Sequence, residues 1–352
     1  MATPTLYWFD RWDDRIGVLP VVGGVTHEED LDGTDKLDFV STVVPTKGDR
    51  LVWRDGDMWR EHLVACTVES DPGLCTVHAL GSMHEMANDY IQDVHLAYAT
   101  GWDATEAALK VTRWDEDDRW GGTQEANMWM HHTNAWDAFW RARDIWGRDI
   151  WPEIEVRDGR VSKRTVCWDR ERGKWRGARF TYGRNLVGCA RTMLEAEVKT
   201  ALYGYGAGLP AVDKDGNPTG GISRRATFAE KNDGRDWVGD DAALLLWGRW
   251  NKDRTERVHA FGDVTFPSVS DPSTLLYQTE QALKKACQPK VVYSLAVAMI
   301  EGGMPVEMGD TVLVVDTSRD PAWRIKARVS RRVRVLCERD RCEVTLASAG
   351  AV

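Results

Sequence analysis

His131 and His132 are the only close pair among the eight histidines of this chain, so any chemistry that needs paired imidazoles starts there. Neighbours on a strand point to opposite faces, and no HExxH motif or third carboxylate stands at helical spacing. The pair therefore reads as surface or packing, not as a metal site. Hydrolysis by a nucleophile needs a Ser or Cys held beside a base. There is no G-x-S-x-G, and the seven cysteines (Cys66, Cys75, Cys167, Cys189, Cys287, Cys337 and Cys342) form no CxxC pair. This odd, scattered set argues against a zinc site or a disulfide framework and for reduced, mostly buried thiols. Cys337 and Cys342 flank a predicted hairpin turn and are the pair best placed to face each other, but a reducing compartment disfavours the bond.

Two stretches imitate binding loops. Asp213, Asp215 and Asn217 alternate as in a calcium loop, but Pro218 stands where glycine is needed and Arg224 where the bidentate glutamate is needed. Asp215-Gly216-Asn217 then reads as a hairpin tip. Gly204, Gly206 and Gly208 have the wrong spacing for a dinucleotide loop, and Pro210 follows where a helix should start. No catalytic, cofactor or metal residue is predicted. One concentration of charge remains. Arg324, Lys326, Arg328, Arg332 and Arg334 alternate with Ile325, Ala327, Val329, Val333 and Val335, which puts five positive charges on one face of one strand in a chain of net charge -9. Either carboxylates of adjacent strands offset a solvated face, or the face meets an acidic neighbour.

The elements that would position these residues are mostly strands. The chain has 352 residues, 43% hydrophobic and 29% charged, which suits a folded protein of roughly two domains. No apolar run approaches the ~20 residues of a membrane-spanning helix. The N-terminus lacks the basic and apolar regions of a signal peptide, so synthesis in the cytoplasm is expected. The acidic balance disfavours nucleic acid as the main partner. Of 18 tryptophans, 12 lie between Trp8 and Trp151. They share no single spacing, which favours core and subunit-interface packing over a glycan-stacking platform.

In order, Leu6 to Val22 alternates as strands, with turns expected at Gly23-Gly24, Asp32-Gly33, Lys47-Gly48-Asp49 and Asp55-Gly56-Asp57. Ser82 and Glu85 form a capping-box pattern that predicts a helix over 83–93, and Asp103 and Glu106 another over 104–111. Asn134 predicts the cap of a third helix, ending at Gly147. Strands are expected near 125–132, 150–157 and 161–168, the last two joined at Asp158-Gly159. Asp271-Pro272 opens a predicted helix to Cys287, stopped by Pro289. Strands follow around turns at Glu301-Gly302-Gly303 and Arg339-Asp340. Between Val187 and Leu202 periodicity accepts either a helix or two strands.

Three stretches carry a resemblance. Tyr182 to Leu186 followed by Thr200 to Gly206, the early Asp32-Gly33 with Leu37 and Phe39, and above all Met308-Gly309-Asp310 to Asp316 with Arg324 to Val329 resemble the prophage endopeptidase tail, or tail-associated lysin, proteins. On that resemblance 187–202 becomes two strands joined at about Glu195 to Glu197. It implies an α+β, β-rich fold: several small β-barrel-like and α+β domains in a phage tail hub architecture, akin to the baseplate hub of contractile phages. The expected division is a first β-barrel-like domain at 1–80, an α+β insert with short helices at 81–175, a second β-barrel-like domain with its closing helix at 176–290 and a C-terminal β domain at 291–352.

The implied role is a structural virion protein of a siphovirus tail tip, a homotrimeric hub that caps the tail tube. Its implied partners are the distal tail protein, the tube, and fibre or receptor-binding proteins, with genomic DNA or a tape measure protein passing the lumen. Many members of the family continue into a lysin domain; here the sequence ends at Val352 soon after the last predicted strand, so no enzyme activity is expected. A cell-wall peptidase or glycosidase and a Trp-rich glycan adhesin are the two alternatives.

Overall fold

In the computed structural model the turn chemistry of the first 81 residues builds a run of antiparallel strands: β1 (Tyr7–Phe9), β2 (Arg15–Val18), β3 (Val21–Asp30), β4 (Asp35–Ser41), β5 (Arg50–Asp55), β6 (Met58–Asp71) and β7 (Leu74–Gly81). The structure describes residues 4–71, 73–117, 124–194, 198–212, 218–267, 269–288, 290–297, 306–318, 320, 322–336 and 342–347. Gly33, Gly48 and Gly56 take positive φ, as the expected turns require. Gly23-Gly24 is no turn: it lies inside β3, where the register with β4 slips between Val22 and Thr26 and Gly23 takes φ 82°. The two glycines make a bulge instead of reversing the chain. Leu37, Phe39, Trp53 and Val77 fill the core of this module.

After β7 come β8 (Tyr90–Ala99), α1 (Gly101–Leu109), β9 (Asp115–Glu116), β10 (Ala126–Asn134), α2 (Ala135–Trp146), β11 (Asp149–Arg157) and β12 (Arg160–Asp169). The helix predicted over 83–93 is instead a 3-10 segment, Ser82–Asn88, followed directly by β8. Its capping box never forms. Ser82 Oγ is buried without a partner, while Glu85 accepts from Arg113 Nε at 3.0 Å and from Trp114 Nε1 at 2.6 Å. The next helix starts earlier than predicted because Thr100, not Asp103, is its N-cap and Asp103 bonds back to it. The third matches: Asn134 Oδ1 accepts from Asp137 N at 2.8 Å, and Gly147 closes α2 at φ 62°. Asp158 and Gly159, both at positive φ, form the two-residue turn between β11 and β12.

Next come β13 (Trp175–Thr181), β14 (Leu186–Leu194), β15 (Ala201–Tyr205), β16 (Gly208–Val212), β17 (Pro218–Arg225), β18 (Trp237–Gly239), α3 (Asp241–Trp247), β19 (Arg249–Trp250), β20 (Arg257–Val258), β21 (Phe261–Thr265) and α4 (Pro272–Ala286). The resemblance therefore chose correctly between helix and strands at 187–202, although β14 and β15 join different sheets. Gly204 and Gly206 do not turn the chain. A Cβ on Gly204 would stand 2.1 Å from Thr279 Oγ1, and one on Gly206 would stand 2.2 Å from the Val269 carbonyl oxygen. Gly204 thins one face of β15 so that Thr279 of α4 can lie against it, and Gly206, just beyond the strand, leaves room for the Val269 carbonyl and Leu275. Asp271 caps α4 through Thr274 N at 2.7 Å, and Leu275, Thr279 and Leu283 are its buried face. β16 and β17 pair around the expected tip at Asp215–Asn217, which lies outside the described residues. So do the expected turns at 195–197, 301–303 and 339–340, and Cys337.

The last strands are β22 (Lys290–Val297), β23 (Thr311–Asp316), β24 (Trp323–Val335) and β25 (Cys342–Ala347). Strand makes up 52% and helix 18%, so the fold is β-rich α+β. Among the described residues sixteen strands form one sheet along the path β14-β22-β25-β24-β3-β4-β7-β6-β11-β12-β9, with branches at β1, β2, β5, β13 and β23. Among the described residues the path has two ends and closes no barrel. Its decisive link is β24 to β3, which joins Arg331–Val335 to Thr26–Asp30 and makes the first and last strands of the chain one surface.

Candidate functional site

That link carries the most unusual chemistry of the molecule. Strand alternation puts Val25, His27 and Glu29 on the inner face of β3 and Arg60, His62 and Val64 on the inner face of β6, and all six are buried. Glu29 is 2% exposed and receives Arg60 Nη1 at 3.0 Å, Arg172 Nη2 at 3.3 Å and Arg332 Nε at 3.1 Å. Burial works against its charge, but Arg60, Arg332 and Arg172 outweigh burial and hold the carboxyl well below the usual carboxylate range. Burial likewise opposes the charge of Asp55, and Arg334, bonded to it at 3.0 and 2.7 Å, overcomes that.

Beside this ionic knot, His27 Nε2 and His62 Nε2 each lie 2.9 Å from Asp35 Oδ1. Two histidines and one carboxylate within 4.8 Å could hold a metal ion by distance alone. The hydrogen bonds decide otherwise. Trp53 Nε1 donates to His62 Nδ1 at 3.2 Å, and Arg334 Nη2 donates to His27 Nδ1 at 2.9 Å. Indole and guanidinium only donate, so both Nδ1 atoms are bare and both Nε2 atoms carry the proton given to Asp35. A metal on Nε2 would need the opposite tautomer. Burial first, offset in part by Asp35, brings His27 down to about 4, and burial opposed by His62 and His27 leaves the Asp35 carboxyl far below its ordinary value. The cluster is a neutral imidazole pair donating to a carboxylate, a closed structural network.

β24 shows how the five basic residues are distributed. Arg324 and Lys326 are exposed, and Lys326 Nζ stands 5.0 Å over the ring of Trp175. Arg328 is half-buried and donates to the Gly309 carbonyl at 3.0 Å, to the Arg172 carbonyl and to Asp149. Between Val329 and Arg331 the register with β25 slips, so the inward phase moves by one residue. Arg332 thus turns into the core at 5% exposure, and Arg334 reaches Asp55 and His27. The expected single face of five charges is therefore split, with three of the five spent on partners within the chain. Sequence reasoning missed Glu29, His27, Asp35, His62 and Asp55. The available signal was that His27 and Glu29 sit in phase with Val25, so charged residues occupy an apolar stripe.

His131 and His132 also differ from expectation: His132 takes φ 44°, and the two rings meet edge to face at 4.3 Å instead of pointing apart. His131 pairs with the exposed Asp93 at 3.2 Å. Trp53, Trp114, Trp146 and Trp168 are buried, in line with packing.

Residues 174–351 match the family described as prophage endopeptidase tail. No curated protein matches the chain. Among solved structures, a tail protein from Neisseria meningitidis MC58 is similar at TM-score 0.62 and 10% identity, over 99% of this chain and 98% of that one. The prophage tail protein gp18 from Listeria monocytogenes EGD-e is similar at 0.56 and 13%, over 98% and 94%. The 43 kDa tail protein of prophage MuSo2 from Shewanella oneidensis is similar at 0.57 and 10%, over 95% of each. At such identities these likenesses speak for the fold, while the matched half of the chain speaks for descent, and the protein belongs to the prophage endopeptidase tail family.

Proposed function

We propose that this chain is a structural hub at the tip of a phage tail, closing the tail tube as a homotrimer and joining it to the distal tail protein and to fibre or receptor-binding proteins. The observation that carries this is the seam itself. Buried pairs join β3 to β24 and so tie the first strands to the last, as a ring component that must resist being pulled apart would need. A heterologous contact that closes on itself gives a ring, and threefold closure suits the cap of a tube. On this reading the protein resides at the virion tail tip, made in the bacterial cytoplasm, and tape measure protein or DNA passes its lumen.

The reading is non-enzymatic although the family's name includes endopeptidase. Among the described residues the histidine and carboxylate cluster is closed by its own hydrogen bonds, and the exposed His131 and His132 are engaged by Asp93 and by the Tyr90 hydroxyl. Of the basic strand, only Arg324 and Lys326, with Trp175, remain as a contact face for a neighbouring subunit.

Antibody labelling of particles tests the position: label at the tail tip with threefold averaging supports the hub, and label along the tube or at the head, or a twofold particle, overturns it. Arg324→Ser with Lys326→Ser tests the face. The variant should melt like the parent and fail to enter tails, and unimpaired assembly refutes the contact. Peptidoglycan cleavage by the pure chain, lost on changing one Asp, Glu, His or Cys, would establish the lysin alternative.

A further inference from the structure

Strand β24 meets β3 through the backbone ladder from Arg331–Asp30 to Val335–Thr26 and through three side-chain contacts, Arg331 with Glu28, Arg332 with Glu29 and, at the Thr26 end, Arg334 with His27. His27 is fully buried, and its surroundings are fixed on every side. Asp35 at the start of β4 accepts from Nε2; Trp53 on β5 stands edge-on 5.3 Å away; His62 on β6 is 5.5 Å away and Arg60 lies on the same strand; Glu29 follows on β3 itself; Arg332 and Arg334 come from β24. Asp35 packs against Gly81, where a Cβ would stand 2.5 Å from its Oδ2. The only imidazole position left for a second proton is Nδ1, the atom that accepts from Arg334.

We propose that the Arg334–His27 hydrogen bond is an acid-sensitive latch on the β3–β24 seam, released when His27 Nδ1 takes up a proton. The proton removes the acceptor of the guanidinium N–H and sets two donors and two cations face to face at hydrogen-bond distance. Arg60, Arg332 and Arg334 stay cationic at that step, and Glu29, Asp35 and Asp55 are held ionised by their partners. Arg334 keeps Asp55 but loses its hold on β3. The ladder then frays from its Val335–Thr26 end, while Arg331 with Glu28 and Arg332 with Glu29 hold the Asp30 end and the β23–β24 ladder, which uses the other half of the strand, stays closed. Acid would thus loosen one end of the seam between the first strands and the last.

Hydrogen exchange on the full chain between pH 7 and pH 4, corrected for intrinsic rates, reads this directly. Protection at 26–27 and 334–335 should fall at least tenfold more than at 311–316, with the loss centred near the titration of His27. His27→Gln, whose amide oxygen accepts from Arg334 at any pH, should flatten that loss. Equal loss in both ladders, or an undiminished loss in the variant, overturns the latch. Should the variant not fold, ¹⁵N spectra of the imidazole in the parent decide. A bare Nδ1 at pH 7 that becomes protonated in step with seam opening supports the latch, and a protonated Nδ1 at pH 7, or titration apart from opening, refutes it.

Discussion

Gly173 and Gly309 cross in backbone contact. A Cβ on Gly173 would lie 2.2 Å from the Gly309 carbonyl carbon, and one on Gly309 would lie 2.0 Å from the Arg172 carbonyl oxygen. Both residues take positive φ, at 83° and 80°. Arg328 closes the crossing by donating to the carbonyls of Gly309 and Arg172. The segment that leaves β12 is thereby clamped to the segment that enters β23.

Gly309→Ala should therefore destabilise the protein by about 2–4 kcal/mol, since backbone cannot move aside as a side chain can and a left-handed residue gains a Cβ. Chemical denaturation measures it. A loss no larger than that of an exposed-glycine control such as Gly56→Ala would show that the crossing relaxes freely.

Glu29→Ala leaves Arg60, Arg172 and Arg332 facing one another without their shared carboxylate. Removing one partner of a buried ion pair costs about 3–5 kcal/mol, whereas an exposed pair such as Arg54 with Asp57 contributes about 0–1 kcal/mol. Urea titration of Glu29→Ala beside Asp57→Ala should show that gap, and equal effects would refute the seam as a stability centre.

Global stability should fall with acid in two stages. His27 is lowered to about 4 in the folded chain from 6.5, so between those values the unfolded chain binds a proton that the folded one does not, and stability declines as pH falls. Glu29, Asp35 and Asp55 are also depressed on folding, and their contribution is lost as pH falls below the ordinary carboxylate range. Melting temperature should accordingly drop from about pH 6 and more steeply below about pH 4. A maximum in the acid range would contradict these assignments.

Gly204→Ala should push α4 off β15 and cost about 1–3 kcal/mol, because Thr279 Oγ1 is itself tied to the Leu275 carbonyl at 2.7 Å and cannot swing clear. Combining it with Thr279→Ser, which removes the methyl that the new Cβ would also meet at 3.0 Å, should recover part of the loss. Equal stability of the single variant and the parent would mean the helix has room to spare.

Local chemistry was legible in the sequence wherever a residue and its neighbours settle the outcome between them. Asn134 and Gly147 bound α2, Asp271 and Pro272 start α4, and Asp158-Gly159 turns one strand into the next, since caps and tight turns depend on side chains and φ angles a few residues apart. The motif at Met308 to Val329 pointed to the family, and with it to strands where periodicity was neutral. Strict alternation along β24 also foretold Ile325 and Ala327 in the core. Alternation failed at Ser330, where a bulge that no residue type announces turns Arg332 inward. Its partner Glu29 is 303 residues away, and a charge can occupy a core only when the fold brings its counter-charge to it. Short-range rules fix the elements, but the phase of a strand and the fate of its charges belong to the sheet, because register is set by the strands on either side.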